Sequence, residues 1–274
     1  MNPQEILKAG RLGDAIAEQT QAVKSRPTDA DARFMLFTLL CFAGELERAE
    51  VHLEAVSLAD ESMRVGSSLY HSLLAAEYER RKVYREGARP VLPPDPPRTV
   101  ELRLEALAAL RVGSADAARA ALEAAAEEAV SLSGKLNGEA FDGLRDYDDV
   151  LGQVLEIYAG GRCLWLPMER IRKLEVAEPK QQLDLLWARA ELEDADGEQA
   201  TVHLPVLYEG SFEHASEIVR LGQSTEWIDC HDVAFRGAGR KILFTARDEE
   251  ERETGLLDVR TLEIECSPVG DAAG

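Results

Sequence analysis

Apolar positions in the first half of the chain recur at three- and four-residue intervals, and in the second half they alternate. The first pattern predicts amphipathic helices and the second half-buried strands. Helices are expected at 4–9 and at 13–25, the latter stopped before Pro27. Thr28 or Asp29 can cap the next, 30–43, which is apolar almost all round: Phe34, Met35, Leu36, Phe37, Leu39, Leu40 and Phe42. Segment 45–58 carries Leu46, Ala49, Leu53 and Val56 on one stripe, and 62–86 carries Val65, Leu69, Leu73 and Ala76. Pro90, Pro93, Pro94, Pro96 and Pro97 then exclude a helix and predict a stiff extended connection over 89–98. Thr99 is placed to cap a helix over 100–112, and an Ala-rich helix follows at 115–130. A last helix is expected over 146–159, ended by Gly160-Gly161.

From Arg162 the period changes to two. Strands are expected at 162–166, 169–176, 185–193, 200–207, 225–230, 240–247 and 256–265, with a short helix at 211–221. Asp196-Gly197 makes a hairpin turn. Val202, Leu204 and Val206 fall on one face of the strand that follows it, and alternation breaks near Arg260-Thr261, the signature of a bulge or bend. Asp248 to Glu253 reads as an acidic hairpin tip, and the residues after Ser267 as a frayed tail.

A seven-residue phrase repeats within the helical half. Ala9-Gly10-Arg11-Leu12-Gly13-Asp14-Ala15 returns 34 residues later as Ala43-Gly44-Glu45-Leu46-Glu47-Arg48-Ala49, and a weaker copy runs from Gly113 to Ala118. That offset is the period of the tetratricopeptide repeat. Gly allows the tight turn between antiparallel helices and Ala their close approach. The fold class is therefore α+β: an N-terminal tetratricopeptide-like helical array followed by a smaller, mainly antiparallel β domain. The expected organisation is a helical domain over 1–160, a β domain over 161–267 and a flexible tail at 268–274.

Composition narrows the function more than the fold. With 51 acidic against 31 basic residues the formal net charge is −20. Such a field repels a phosphate backbone and argues against nucleic-acid binding, while it could steer a basic partner. No apolar run approaches the ~20 residues of a membrane span, and the N-terminus lacks a signal-peptide pattern. Cys41, Cys163, Cys230 and Cys266 have no CxxC spacing, so reduced thiols in a cytoplasmic protein are expected. No P-loop, HExxH, GxGxxG or GxSxG occurs. Among the histidines, His52 is placed on a polar helix face and His203 outward on a strand. Cys230-His231-Asp232 has the composition of a catalytic relay, but adjacent strand residues point to opposite faces. Asp142, Asp146, Asp148 and Asp149 around Tyr147 read as a helix N-terminus, with a cation site as the alternative. The chain is expected to be neither an enzyme nor a cofactor protein.

The run Gly160-Gly161-Arg162-Cys163-Leu164-Trp165-Leu166-Pro167-Met168-Glu169-Arg170-Ile171 resembles the ImpE family, also called TagJ or SciE, accessory proteins of bacterial type VI secretion. Met168 stands where the family carries Phe, and Cys163-Leu164 where it carries aromatics. Leu36 to Gly44, Asp146 to Glu156 and Asp184-Leu185-Leu186-Trp187 resemble further family blocks, and Leu207-Tyr208-Glu209-Gly210-Ser211 is an altered form of another. The resemblance spans roughly 4–265. It implies a cytoplasmic, non-catalytic adaptor whose partner is a helical segment of the small sheath subunit TssB, linked indirectly to the recycling ATPase ClpV.

A helical array captures such a segment in a groove lined by the first helix of each repeat. In the register set by Gly44, Asp31, Phe34, Thr38, Cys41 and Phe42 face the groove, and Leu36, Phe37 and Leu40 pack inward. The alternative function is ligand sensing, with Trp165, Trp187, Tyr208 and Trp227 lining a small-molecule site in the β domain.

Overall fold

The computed structural model describes residues 9–59, 63–248 and 250–265. Six helices open the chain among these residues: α1 (Leu12–Ser25), α2 (Ala30–Phe42), α3 (Leu46–Ala59), α4 (Met63–Glu86), α5 (Arg98–Arg111) and α6 (Ala115–Glu127). The expected first helix and the tail fall outside the described residues. Asp29 caps α2, its carboxylate accepting the Ala32 N–H at 2.9 Å. Thr99 is not a cap; α5 starts one residue earlier, after Pro97, and Thr99 is buried inside it. The repeated phrase has one backbone form. Gly10, Gly44 and Gly113 take φ of 73°, 73° and 72°, and the alanines that close each copy, Ala15, Ala49 and Ala118, are all 0% exposed. The left-handed glycine reverses the chain and the alanine lets two helix axes meet.

Strands begin earlier than the pattern suggests. β1 (Gly134–Leu136), β2 (Glu139–Phe141) and β3 (Gly143–Asp146) follow α6, and residues 146–159 are not helical. Asp146 ends β3, a turn covers 147–153, and β4 runs Val154–Ala159. Two physical facts decide this. Gly152 sits at φ +49°, with the Arg103 guanidinium carbon where a Cβ would lie, 2.1 Å from it. Val154 to Tyr158 is buried on both faces, so its apolar run has no period to distinguish a strand from a buried helix.

The remaining strands are β5 (Arg162–Pro167), β6 (Ile171–Val176), β7 (Trp187–Asp194), β8 (Gln199–Pro205), β9 (Thr225–Cys230), β10 (Ala234–Gly239), β11 (Ile242–Arg247), β12 (Glu250–Gly255) and β13 (Thr261–Ile264). A short helix α7 (Glu217–Arg220) lies between β8 and β9. Eight strands form one antiparallel sheet in the order β2-β1-β13-β6-β7-β8-β4-β5. β12-β11-β3 form a three-stranded sheet and β9-β10 a ribbon. The strand β10 lies in a segment assigned no element above, and β12 overlaps the segment read as an acidic tip. The bend near Arg260 is real: Asn137 Oδ1 accepts the N–H groups of both Arg260 and Thr261.

The proline-rich connection is more than a spacer. Val91 lies parallel to Leu164 of β5, donating to Cys163 O and accepting from Trp165 N, each at 3.0 Å. It thereby covers the open edge of the large sheet. Helix α4 packs across β4 and β5. One apolar core runs from Leu12, Phe37, Leu40 and Leu53 of the array to Leu155, Leu174, Leu204 and Leu262 of the sheet. Leu69 of α4, expected inward, is 43% exposed. No helix among the described residues is long and apolar enough to cross a membrane.

The repeat geometry is testable at Gly44. An added Cβ would meet the Phe212 ring at 2.2 Å and would demand a left-handed backbone from an L-residue. Gly44→Ala is expected to lower unfolding free energy by roughly 1–3 kcal/mol, read by urea denaturation. Stability equal to that of the unaltered chain would show that the turn relaxes and does not set the docking of Phe212.

Candidate functional site

The array meets the rest of the chain through α4. Residues three and four apart on a helix share a face, so Glu77, Arg80, Arg81, Tyr84 and Arg85 form one polar stripe. The stripe clamps the loop after β8. Arg80 Nη2 donates to Leu207 O at 2.9 Å, and Arg85 pairs with Glu209 and Glu213 at 3.0 and 2.9 Å. Phe212 lies under Arg81 and Arg85, whose guanidinium carbons are 4.0 and 5.1 Å from its ring centroid. Arg81 also donates to Gly44 O at 2.9 Å, joining the loop to the repeat turn.

Beneath this clamp lies a buried carboxylate, Glu156 of β4. It accepts two bonds from Arg80 Nε at 3.1 Å, one from Arg80 Nη2 at 2.7 Å and one from Lys241 Nζ at 2.6 Å. Tyr84 O–H and Trp165 Nε1–H add two more at 3.0 and 3.3 Å. Burial alone would push its pKa up, but the two cations outweigh burial and hold it well below the usual carboxylate range. Nearby, Tyr158 O–H donates to Glu77. Removing water from two cations and a carboxylate costs several kcal/mol, and only this dense bonding offsets it.

The four aspartates do not form a helix N-terminus. Asp146 Oδ1 accepts from Tyr208 O–H at 2.7 Å and from Asp148 N at 2.9 Å. Asp148 accepts from Val150 N and Gly237 N, and Asp149 from Phe235 N, so both fasten the β9–β10 ribbon to the β3–β4 turn. Asp142 lies outside this group, its N–H bonded to Ala246 O. Among the described residues no group of three or more His, Cys, Asp or Glu is arranged to hold a metal ion. Burial, opposed by Lys241 and reinforced by Asp148, raises the Asp146 pKa to about 7.

The residues read as groove-facing divide. Asp31 is exposed and Phe34 half-buried, its ring 5.4 Å from that of Tyr70. Thr38, Cys41 and Phe42 are 3%, 6% and 3% exposed. Thr38 bonds back to Phe34 O, while Cys41 and Phe42 line a small cavity of about 40 Å³ with Trp187, Leu207 and Phe212. They face the chain's own loop and sheet instead of an open groove. Periodicity along α2 could not reveal this, because the covering residues lie some 170 positions later in sequence.

Cys230, His231 and Asp232 sit at the β9–β10 turn, with His231 and Asp232 at φ 63° and 55°, so no relay exists. Burial raises the thiol pKa of Cys41, Cys163 and Cys230, which makes them poor nucleophiles. Burial and neighbouring arginines lower His52 and His203. Trp165 is fully buried against Glu156 and Trp187 is core, while Tyr208 and Trp227 pack edge-on at 5.8 Å; these four rings do not share one cavity.

Helical repeats docked on an antiparallel sheet define an α+β protein with a tetratricopeptide-like array. A tetratricopeptide repeat model matches residues 7–77 and a model described as ImpE protein matches residues 138–263. The chain is 35% identical over 97% of its length, and 92% of the other's, to a Pseudomonas aeruginosa protein called type VI secretion system accessory component TagJ. It belongs to the ImpE family. A crystal structure of protein VPA1032 from Vibrio parahaemolyticus has the same fold, with a TM-score of 0.88, 21% identity, and coverage of 97% of this chain and 98% of that one.

Two variants test the buried charges. Glu156→Gln leaves Lys241 without its carboxylate partner and Arg80 with Glu77 alone, 3.7 Å away, and a loss of about 3–5 kcal/mol is expected by chemical denaturation; a loss below about 1 kcal/mol would mean that the cluster is solvated. Asp146 acts in the opposite sense. Its folded pKa lies above its ordinary 3.8, so the folded chain keeps a proton that the unfolded chain releases. Stability is expected to fall as pH rises from about 4 to about 7, by at most about 1.4 kcal/mol per pH unit, and to level above that. Asp146→Asn keeps the Oδ1 acceptor and removes the proton, so this contribution vanishes. Parallel pH profiles for the two proteins would contradict the assignment.

Proposed function

We propose that this chain is a non-catalytic adaptor of a type VI secretion system, working in the cytoplasm on the contractile sheath. The observation that carries the reading is the 35% identity to the Pseudomonas aeruginosa accessory component TagJ, which extends over nearly the whole of both chains. The tetratricopeptide-like array supports a role in holding another protein, and Cys41 and Cys163 are buried thiols whose pKa is raised. The partner is a helical segment of the small sheath subunit TssB, and ClpV is reached indirectly through it. The proposed docking surface starts at Asp31 and Phe34 on the outer part of α2. Thr38, Cys41 and Phe42 support it from beneath. Phe34 is backed by Phe37 and Tyr70, with ring centroids 5.5 and 5.4 Å away. A half-exposed aromatic on a rigid aromatic base is the type of anchor that dominates interfaces.

Binding of a TssB-derived helix to Phe34→Ala tests the surface. Affinity is expected to fall by about tenfold or more, an effect of at least 1.4 kcal/mol, with the circular dichroism spectrum unchanged. Unaltered affinity in the folded variant would remove Phe34 from the interface, and no binding by the unaltered chain would remove TssB as the partner.

A further inference from the structure

A second cleft, remote from α2, lies between α6 and the strands β3 and β11. It has a volume of about 560 Å³ and its lining includes Leu122, Ala126, Val233, Phe244, Arg103 and Arg145. Its distinctive member is Arg103. Among the described residues, three buried arginine Nε atoms have no hydrogen-bond partner: those of Arg81, Arg103 and Arg236. Arg81 and Arg236 each face a carboxylate 3.7 Å from Nε. Arg103 makes no ion pair among the described residues. Its bonds come from Nη1 alone, to the carbonyls of Asp149 and Val150 at 2.9 and 3.3 Å. Only 7% of this residue is exposed, and the guanidinium lies flat over Gly152, where a side chain would collide with it. Burial, with Arg145 adding to it, lowers the Arg103 pKa to about 10. A buried cation in that condition is one that an anion would stabilise.

We infer that this cleft binds a small organic monocarboxylate, with the acid group at Arg103 Nη2, which unlike Nε is not fully enclosed, and an apolar body against Leu122, Val233 and Phe244. The charge balance selects a single negative charge. Arg145 is already paired with Asp149 at 3.3 Å, whereas Arg103 feels Asp146, Asp148 and Asp149 only through space and makes no ion pair among the described residues. Glu123, exposed at the rim, and the net charge of −20 act against a dianion such as phosphate. The wall is apolar and the volume is that of a small-molecule pocket.

The test uses calorimetry or ligand-observed NMR on the whole chain with phenylacetate and hexanoate. Saturable binding is expected below about 10 mM. Phenylacetamide, with the same shape and no charge, is expected to bind at least about tenfold more weakly, as follows from losing a charged hydrogen bond. Inorganic phosphate is also expected to bind at least about tenfold more weakly than phenylacetate. Arg103→Met is expected to abolish binding. Because that variant also frees two turn carbonyls, Ala126→Trp provides a second reading: it fills the cleft from an exposed position on α6, leaves Arg103 in place, and is expected to abolish binding in a normally folded protein. Absence of saturation by either acid, equal binding of the amide or phosphate, or full binding by Ala126→Trp would each overturn the proposal.

Discussion

The structure depends on one buried carboxylate. Glu156 lies at the middle of β4, where the long helix α4 crosses the sheet, and the groups bonded to it come from three parts of the chain. Arg80 and Tyr84 come from the helical array, Trp165 from the neighbouring strand, and Lys241 from the segment joining the ribbon to β11. Each partner would be costly to bury alone. They are tolerable only together, so the array cannot leave the sheet without exposing or orphaning charges. This makes the two halves one unit in spite of their different periodicities. The shared apolar core supplies the non-directional attraction, and the charge cluster supplies the registration.

The same constraint decides which part of α2 stays accessible. Arg80 and Arg85 draw the loop after β8 onto α4, and Phe212 follows it to Gly44 and Arg81. The inner residues of α2, Cys41 and Phe42, are covered by this loop and sheet. What stays accessible is the outer part of α2, with Asp31 and Phe34 raised on Phe37 and Tyr70. The aspartates of the β3–β4 turn are used in the same way. Asp148 and Asp149 tie down the ribbon, and Asp146 holds Tyr208 at the end of the clamped loop. The acid-rich turn thus orders structure, and beside it Arg103 lies buried with its charge balanced only through space by these aspartates.

Much of the architecture was legible in the residues. The repeated Ala-Gly phrase gave the helix-turn-helix period, because a left-handed glycine and a fully buried alanine have few substitutes. Alternation gave β7, the Asp196-Gly197 turn and β8, because one face of each is buried and the other wet. The misreadings share a cause. Val154 to Tyr158 is buried on both faces and so carries no period. β1 to β3 are three or four residues long, too short for alternation to register. β12 is polar because it is an edge strand, and it read as a tip. The groove residues were placed by repeat register, which says how α2 faces its neighbours within the array but not what covers them from outside it.

By itself the sequence determined the helix pairs, the order of helical and β regions, the absence of familiar catalytic motifs and the family resemblance. Those are local or near-neighbour properties, written in spacing of apolar residues and in glycine and proline positions. Only the tertiary structure decided that Glu156 meets Arg80 and Lys241, that the loop after β8 covers the inner side of α2, that the proline run seals the sheet edge, and that Arg103 is buried without an ion pair among the described residues. Each of these joins residues dozens to well over a hundred positions apart. The free energy of a buried charge depends on what surrounds it in space, and linear order does not specify that.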